Sequence, residues 1–345
     1  MAIPRVTLEH VAARAQVSRQ TVSNVINAPD IVRPETKERV ERAIAELGYR
    51  PHAAARQLVT RRSHVLGFAM PRSAPGTRYG LDSSFLLALT EAAQAQGYRI
   101  MLFSTRSDSD EIAQYADLLD GADLDGFVLA NTHHGDPRTR WLGERSVPFV
   151  TFGRPWGEPD TSHHWVDVDG AAGTAAAVEH LRQAGHSRIA FVGWPLGSGV
   201  GDDRRAGWAA AIRQSGASEE DVDTWQAVTL DSVEAALPPV RDLLVTVAPT
   251  ALVCVSDTVA VAALRVRRDL GLDIAIVGFD DAAVAEPLGL TSLRQPLAEA
   301  ASRCLDLVLH PQHGSPQQVL LAPTLITRHS SAPVQATLAA SRRKS

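Results

Sequence analysis

Cysteine is nearly absent: Cys254 and Cys304 are the only two in 345 residues. A disulfide scaffold is therefore excluded. Each sits in an apolar stretch, ALVCV or SRCLDLVL, and reads as a buried thiol of the core. No run of 18 apolar residues occurs, so no membrane helix is expected. The opening MAIPRVTLEHVAARA lacks the apolar stretch of a signal peptide, which points to the cytoplasm. Lysine is scarce too: among 34 basic residues only Lys37 and Lys344 are not arginine. A GC-rich genome accounts for that bias, and no mechanism follows from it. The segment after His329, SSAPVQATLAASRRKS, has no leucine heptads, so no tetramerising coiled coil is expected.

Signatures of catalysis and metal binding are missing as well. The glycines of IAFVGWPLGSGVGDD do not fit GxGxxG, and Asp202 and Asp203 follow where a pyrophosphate needs helix N–H groups. The pairs His133-His134 and His163-His164 have no Cys or carboxylate set beside them to complete a zinc site. No nucleophile elbow is visible. The expectation is a protein that is not an enzyme and has no cofactor or metal.

What is present is a globular composition, 45% hydrophobic and 21% charged, with an uneven charge. Residues 1–65 hold 11 Arg and Lys against 6 Asp and Glu, which leaves 23 against 33 for the rest of the chain. A basic head on an acidic body means that only the head meets an anionic partner.

The head reads as three short helices. Thr7 is an N-cap for the first, with the stripe Leu8, Val11, Ala12 and Ala15. Ser18 caps the second, which runs to Val25 or Ile26. Pro34 opens the third; Val40, Ala43, Ile44 and Leu47 form its stripe and Gly48 ends it. The first two, joined by the turn Ala15-Gln16-Val17, have the helix-turn-helix arrangement. In VSRQTVSNVIN, Gln20, Ser23, Asn24 and Asn27 make a polar face without a carboxylate. Such a face suits a polyanion; the alternative is a solvated face of a three-helix scaffold. A recognition helix puts its N-terminal residues into the major groove. Arg19 and Gln20 lie there, one suited to guanine and the other to adenine, and Asn24 follows one turn on. Thr21, Ser23 and Asn27, with Thr7 and Ser18 at the helix starts, are the candidates for phosphate contacts.

At these residues a resemblance appears. TLEHVAARAQVSRQTVSNVIN followed by VRPETKERVERAIAELGYRPHAAARQLVTRRS resembles the DNA-binding head of the LacI/GalR family of bacterial transcription regulators, from Val6 to Ser63. His10 departs from it, since the family usually has an acidic residue there, and should weaken the cap at Thr7. HAAARQLVTRRS resembles the family's hinge helix. The likeness implies that Leu58, flanked by Ala55 and Arg56, wedges into the minor groove and kinks the duplex. Otherwise this stretch is a linker with an incidental leucine.

From His64 onward short apolar runs alternate with helical stretches. VLGFAM, RIMLFS, FVLA and PFVTF make a first block; WVDVD, RIAFVG, ALVCVS and IAIVGF make a second, starting near residue 162. Helices are expected around 84–96, 111–120, 171–184, 203–215 and 257–270. This is the βα alternation of parallel sheets covered by helices. Ligands bind outside the carboxyl ends of such strands. The order VEHLRQAGHSRIAFVGWP, DDRRAGWAAAI, VSDTVAVAALR, IAIVGFDD, LTSLRQPLAEAA is similar to the family's periplasmic-binding-protein-like effector domain. MPRSAPGTRYGLDSSF departs from the common pattern, which leaves ligand contacts from 70–85 open.

The resemblance thus implies an α/β chain: an all-α helix-turn-helix head over 1–50, a hinge over 51–63, and two lobes of doubly wound parallel sheets over 64–330. The first lobe takes about 64–161 and 294–322, the second about 162–293 and 323–330; 331–345 is a tail. Effector contacts carried over from the family are Arg204, whose guanidinium pairs with two ligand oxygens, Asp280 for vicinal hydroxyls, Ser256 and, more weakly, Arg154. The alternatives are a surface salt bridge for Arg204 and a turn-capping role for Asp280, while Asp257 reads as a helix cap. Trp156, Trp194 and Trp208 fall near strand ends, where rings either stack on a sugar or pack the core; Trp208 is taken as a contact. The expected protein is a homodimer on double-stranded, palindromic operator DNA at the nucleoid. It represses carbohydrate-use genes and is released by a sugar. A co-repressing ligand, or a non-sugar effector, is the alternative.

Overall fold

The computed structural model describes residues 6–27, 29–49, 62–71, 83–121, 124–158, 161–310 and 315–331. The hinge residues Ala55, Arg56 and Leu58, most of the 70–85 opening, and the tail from 332 lie outside them. The chain divides into two compact units, Met1–Val65 with Asp117–Asp125, and the remainder.

The head is built from α1 (Leu8–Ala15), α2 (Arg19–Asn27) and α3 (Pro34–Leu47). Apolar residues at helical spacing face one small core: Val11, Ala12, Ala15, Val22, Val25, Val40, Ala43 and Tyr49. The turn between α1 and α2 is closed by Gln16 in the left-handed region, φ 54°. Arg39 of α3 donates to the Ala15 carbonyl at 2.9 Å and ties the third helix to that turn. Gly48 ends α3 at φ 60°, where a side chain would be strained. His10 takes part in the first cap: its Nδ1 accepts from the Thr7 backbone N–H at 3.1 Å, in the place a carboxylate would take.

Two six-stranded sheets form the rest. The first is ordered β11-β5-β4-β3-β1-β2, with β1 Val65–Pro71, β2 Arg99–Thr105, β3 Gly126–Ala130, β4 Phe149–Phe152, β5 His164–Val168 and β11 Gln318–Leu321. The second is β12-β10-β9-β8-β6-β7, with β6 Ile189–Gly193, β7 Gln226–Val228, β8 Ala251–Cys254, β9 Ala275–Asp280, β10 Thr291–Arg294 and β12 Thr324–Ile326. Runs such as FVLA and IAFVG are buried throughout because helices cover both faces.

The helices of this part are α4 (Ser83–Ala95), α5 (Asp108–Gly121), α6 (Pro137–Glu144), α7 (Gly170–Gln183), α8 (Val200–Gln214), α9 (Glu219–Thr224), α10 (Val233–Thr246), α11 (Asp257–Leu270) and α12 (Leu297–Leu309). The boundary expected near residue 162 is corrected. Strand β5 pairs in parallel with β4 and β11, so it lies inside the first sheet rather than opening the second. The second lobe begins at α7, whose Ala177, Val178 and Leu181 enter the second core. The chain returns to the first lobe at α12, whose Ala300, Cys304 and Leu305 enter the first core, and crosses again between β11 and β12. Cys254 and Cys304 are both buried free thiols. Helix α10 carries Pro238 and Pro239 in its interior, a pattern that normally ends a helix. Ser232 caps its start, and burial of Ala236, Val240, Leu243 and Leu244 offsets the lost backbone bonds. Among the described residues no helix is long and apolar enough to cross a membrane.

Candidate nucleic-acid interface and ligand cleft

Helix α2 carries the candidate base-reading residues; the side chain of Asn27 lies outside the described ones. Arg19 and Gln20 are exposed at its start, and Thr21, Ser23 and Asn24 are half-buried beside them. Ser18 caps the helix by accepting from Thr21 N–H at 3.0 Å. Gln20 Nε2 donates to Asn24 Oδ1 at 3.0 Å, so the two amides that would read bases are aligned along one edge. Arg19 rests 3.0 Å from Glu9, a surface pair that gives little stability and that an opposing phosphate or base can replace. The Thr7 hydrogen bond holds the Glu9 carboxyl below its ordinary value, with Arg19 adding to the effect.

A cavity of about 660 Å³ lies between the two sheets. The strand-end rule places its walls. Asn131, Thr132 and His133 follow β3, Gly153 and Trp156 follow β4, Trp194 follows β6, Asp231 follows β7, and Asp280 ends β9. Phe85, Phe152, Gln295 and Leu297 also line it.

Arg204 and Asp280 both line this cavity. Arg204 donates to the Val255 carbonyl at 2.5 Å and lies 3.4 Å from Asp280. Its guanidinium covers the Phe279 ring at 3.5 Å. Its Nε is buried with no acceptor among the described residues. Asp280 accepts from Gln295 Nε2 at 2.7 Å, and its backbone has φ 110°. Burial pushes its carboxyl up to about 7, against the pull of Arg204. Arg204, Asp280 and Gln295 thus form one polar ledge with hydrogen-bonding capacity toward the cavity.

The other expected contacts are placed differently. Ser256 is 1% exposed and does not line the cavity. It caps α11 through Val259 N–H at 3.3 Å and donates to Asp231 at 2.5 Å. Asp231 is the lining residue in front of it. Asp257, read as the cap, instead accepts from Ser292 and from Ala282 N–H at 2.6 and 2.7 Å, and burial raises its carboxyl to about 6. Arg154 sits behind the wall: it pairs with Asp167 at 2.6 Å and, across the lobes, with Asp203 at 3.3 Å. Those two carboxylates line the cavity; burial raises both, with Arg154 opposing. Trp208 is not a ligand contact. It is fully buried, stacks on Phe191 at 5.4 Å and donates to the Ile189 carbonyl, which makes it a core residue.

The aromatic surface comes from elsewhere. Phe85 stacks on Phe152 at 4.0 Å. Trp156 lies under the Arg154 guanidinium at 4.8 Å, and its Nε1 is a buried donor without an acceptor among the described residues. The glycine-rich entry to α8 is occupied by its own carboxylate. Asp202 accepts from Gly197 N–H at 2.8 Å and from Gly199 N–H at 3.4 Å. A phosphate has no such seat there.

A helix-turn-helix head and a two-lobed binding cleft define a class, the ligand-binding transcriptional regulators. Residues 7–52 match the family of bacterial regulatory proteins named for lacI, and residues 178–331 match a periplasmic-binding-protein-like domain. The chain is 35% identical to the HTH-type transcriptional regulator CelR of Thermobifida fusca, over 94% of this chain and 98% of that protein. The structure of a CelR–cellobiose complex superposes with a TM-score of 0.68 at 31% identity, over 94% of this chain and all of the other. The Lac repressor dimer bound to operator and an anti-inducer gives a TM-score of 0.76 at 25% identity, over 95% of this chain and all of the other. The chain belongs to the lacI family and is a DNA-binding transcriptional regulator.

Proposed function

We propose that the protein represses carbohydrate-use genes as a homodimer on a palindromic operator, and that a sugar of about disaccharide size releases it. The cleft carries this reading. A polar ledge of Arg204, Asp280 and Gln295 faces a cavity with the rings of Phe85, Phe152, Trp156 and Trp194 on its walls. Rings pack on the C–H faces of a pyranose while a few polar groups fix its hydroxyls. A 660 Å³ cavity is within the range of small-molecule sites. The CelR relative was solved with cellobiose, a two-ring sugar. In the head, Arg19, Gln20 and Asn24 read bases, while Thr7, Ser18, Thr21, Ser23 and Asn27 hold phosphates. Leu58, with Ala55 and Arg56, is proposed as the minor-groove wedge, so that effector binding acts by separating two hinge segments.

Intrinsic tryptophan fluorescence tests the cleft directly, because Trp156 and Trp194 line it. A saturable change with cellobiose or another di- or oligosaccharide, and none with nucleobases or amino acids, is the expected result. A response confined to a non-sugar ligand overturns the carbohydrate reading.

A further inference from the structure

Three consecutive residues of the cavity wall, Asn131, Thr132 and His133, lie on the segment between β3 and α6. Asn131 has φ 55°, in the left-handed region that asparagine tolerates better than most side chains. Each of the three is held from behind. Thr132 Oγ1 donates to the Arg154 carbonyl at 2.8 Å. His133 Nε2 lies 3.0 Å from Asp108 at the start of α5. The backbone at the root of the segment is held by Arg138.

Arg138 is 4% exposed and lies behind the cavity wall. Its Nη2 donates to the carbonyls of Ala130 and Asn131, both at 3.2 Å. Nε and Nη2 reach Asp136 at 2.9 and 2.6 Å, and Nη1 reaches both oxygens of Glu111 at 3.1 Å. Glu111 in turn accepts from Tyr115. Asp136 also caps α6 by accepting from the Arg138 backbone N–H at 3.0 Å. Every nitrogen of one guanidinium is thereby bonded to an acceptor, and the acceptors belong to both ends of the segment and to α5. A buried ion cluster is costly to assemble and stabilises little for its own sake. Its geometric effect is to fix where β3 ends and α6 begins. A lysine cannot reproduce it, since an ammonium has three donors and no planar fork.

We propose that Arg138 is a positioning residue of the effector site: it holds Asn131–His133 as one preformed wall, so that effector affinity depends on a side chain that does not touch the effector. This rests on the reading of the cleft as the effector site. The test compares full-length wild-type protein with Arg138→Lys and, should that variant fail to fold, Glu111→Gln. Hydrogen–deuterium exchange is read over 130–137, affinity for cellobiose by tryptophan fluorescence, and affinity for operator DNA without sugar. The expected result is faster exchange confined to 130–137, sugar affinity lower by on the order of tenfold or more, and unchanged operator affinity. Faster local exchange with wild-type sugar affinity, or unchanged exchange, overturns the proposal. Wild-type protein that binds no sugar contradicts the carbohydrate reading instead; the exchange result still decides whether Arg138 holds the segment.

Discussion

The head and the cleft present their polar groups in opposite ways. In the head, the candidate base-reading side chains Arg19, Gln20 and Asn24 sit on one helix, Arg19–Asn27, and Arg19 and Gln20 are open to solvent. Their mutual bonds, Gln20 to Asn24 and Arg19 to Glu9, are local and replaceable. In the cleft, the polar groups come from strand ends as distant as Asn131 and Gln295, and several are buried and already paired. A surface that must fit a polyanion keeps its donors free to rearrange on DNA. A site for a small neutral ligand places its donors beforehand, because ordering them at binding would cost affinity.

The difference can be broken at four points. The largest effect is expected at Trp208, assigned here to the core. Trp208→Ala should destabilise the second lobe by about 3–5 kcal/mol, read by chemical denaturation. A nearly neutral substitution with lost sugar binding would return it to the ligand site. Next is Arg204→Ala, which strips the ledge and leaves Asp280 buried without its cation. Sugar affinity should fall on the order of 100-fold, about 3 kcal/mol, with operator affinity retained. A variant that still responds at wild-type sugar concentrations shows that Arg204 is structural.

Gln20→Ala should cost about 1–3 kcal/mol at a single operator base pair and relax the choice there. An unchanged base-preference profile contradicts the assignment. The smallest effect concerns pH. Asp280 binds its proton more tightly folded, at about 7, than its ordinary 3.8, so the folded state holds more protons in that window. Its contribution to stability is complete below the ordinary value and is lost as pH rises through about 7. Asp280→Asn lacks this slope. Its melting temperature relative to wild type should therefore climb from pH 5 to pH 8; a flat difference refutes the assignment.

How much was legible in the sequence follows the same division. Periodicity and caps gave the head's helices closely: α3 runs from Pro34 to Leu47 with Gly48 as its stop. Local signals suffice where a site lies on one helix. They mislead where one residue type has two uses. Trp208 lies four residues beyond Arg204 on α8, yet its ring points into the core while Arg204 points to the cleft, because only tertiary packing decides which face is which. Ser256, expected in the site, is the cap of α11, and Asp257, expected as the cap, holds Ser292 instead, since either can cap α11 and the partners Asp231 and Ser292 come from distant segments. Asn131–His133, Asp231 and Gln295 were missed as contacts although the first three directly follow the run FVLA, where the strand-end rule points. The strand WVDVD reads as part of the second lobe because its pairing with β11, 153 residues on from Trp165 to Gln318, leaves no local trace.

Fluorescence anisotropy on the DNA upstream of the protein's own gene, with and without a panel of mono- and oligosaccharides, tests most directly the claim that the cleft controls the head. Tight, sequence-specific binding that one sugar releases, with the release lost in Arg204→Ala, is the predicted result. Tight binding that every sugar leaves unchanged, or that a ligand strengthens, would contradict a sugar-released repressor.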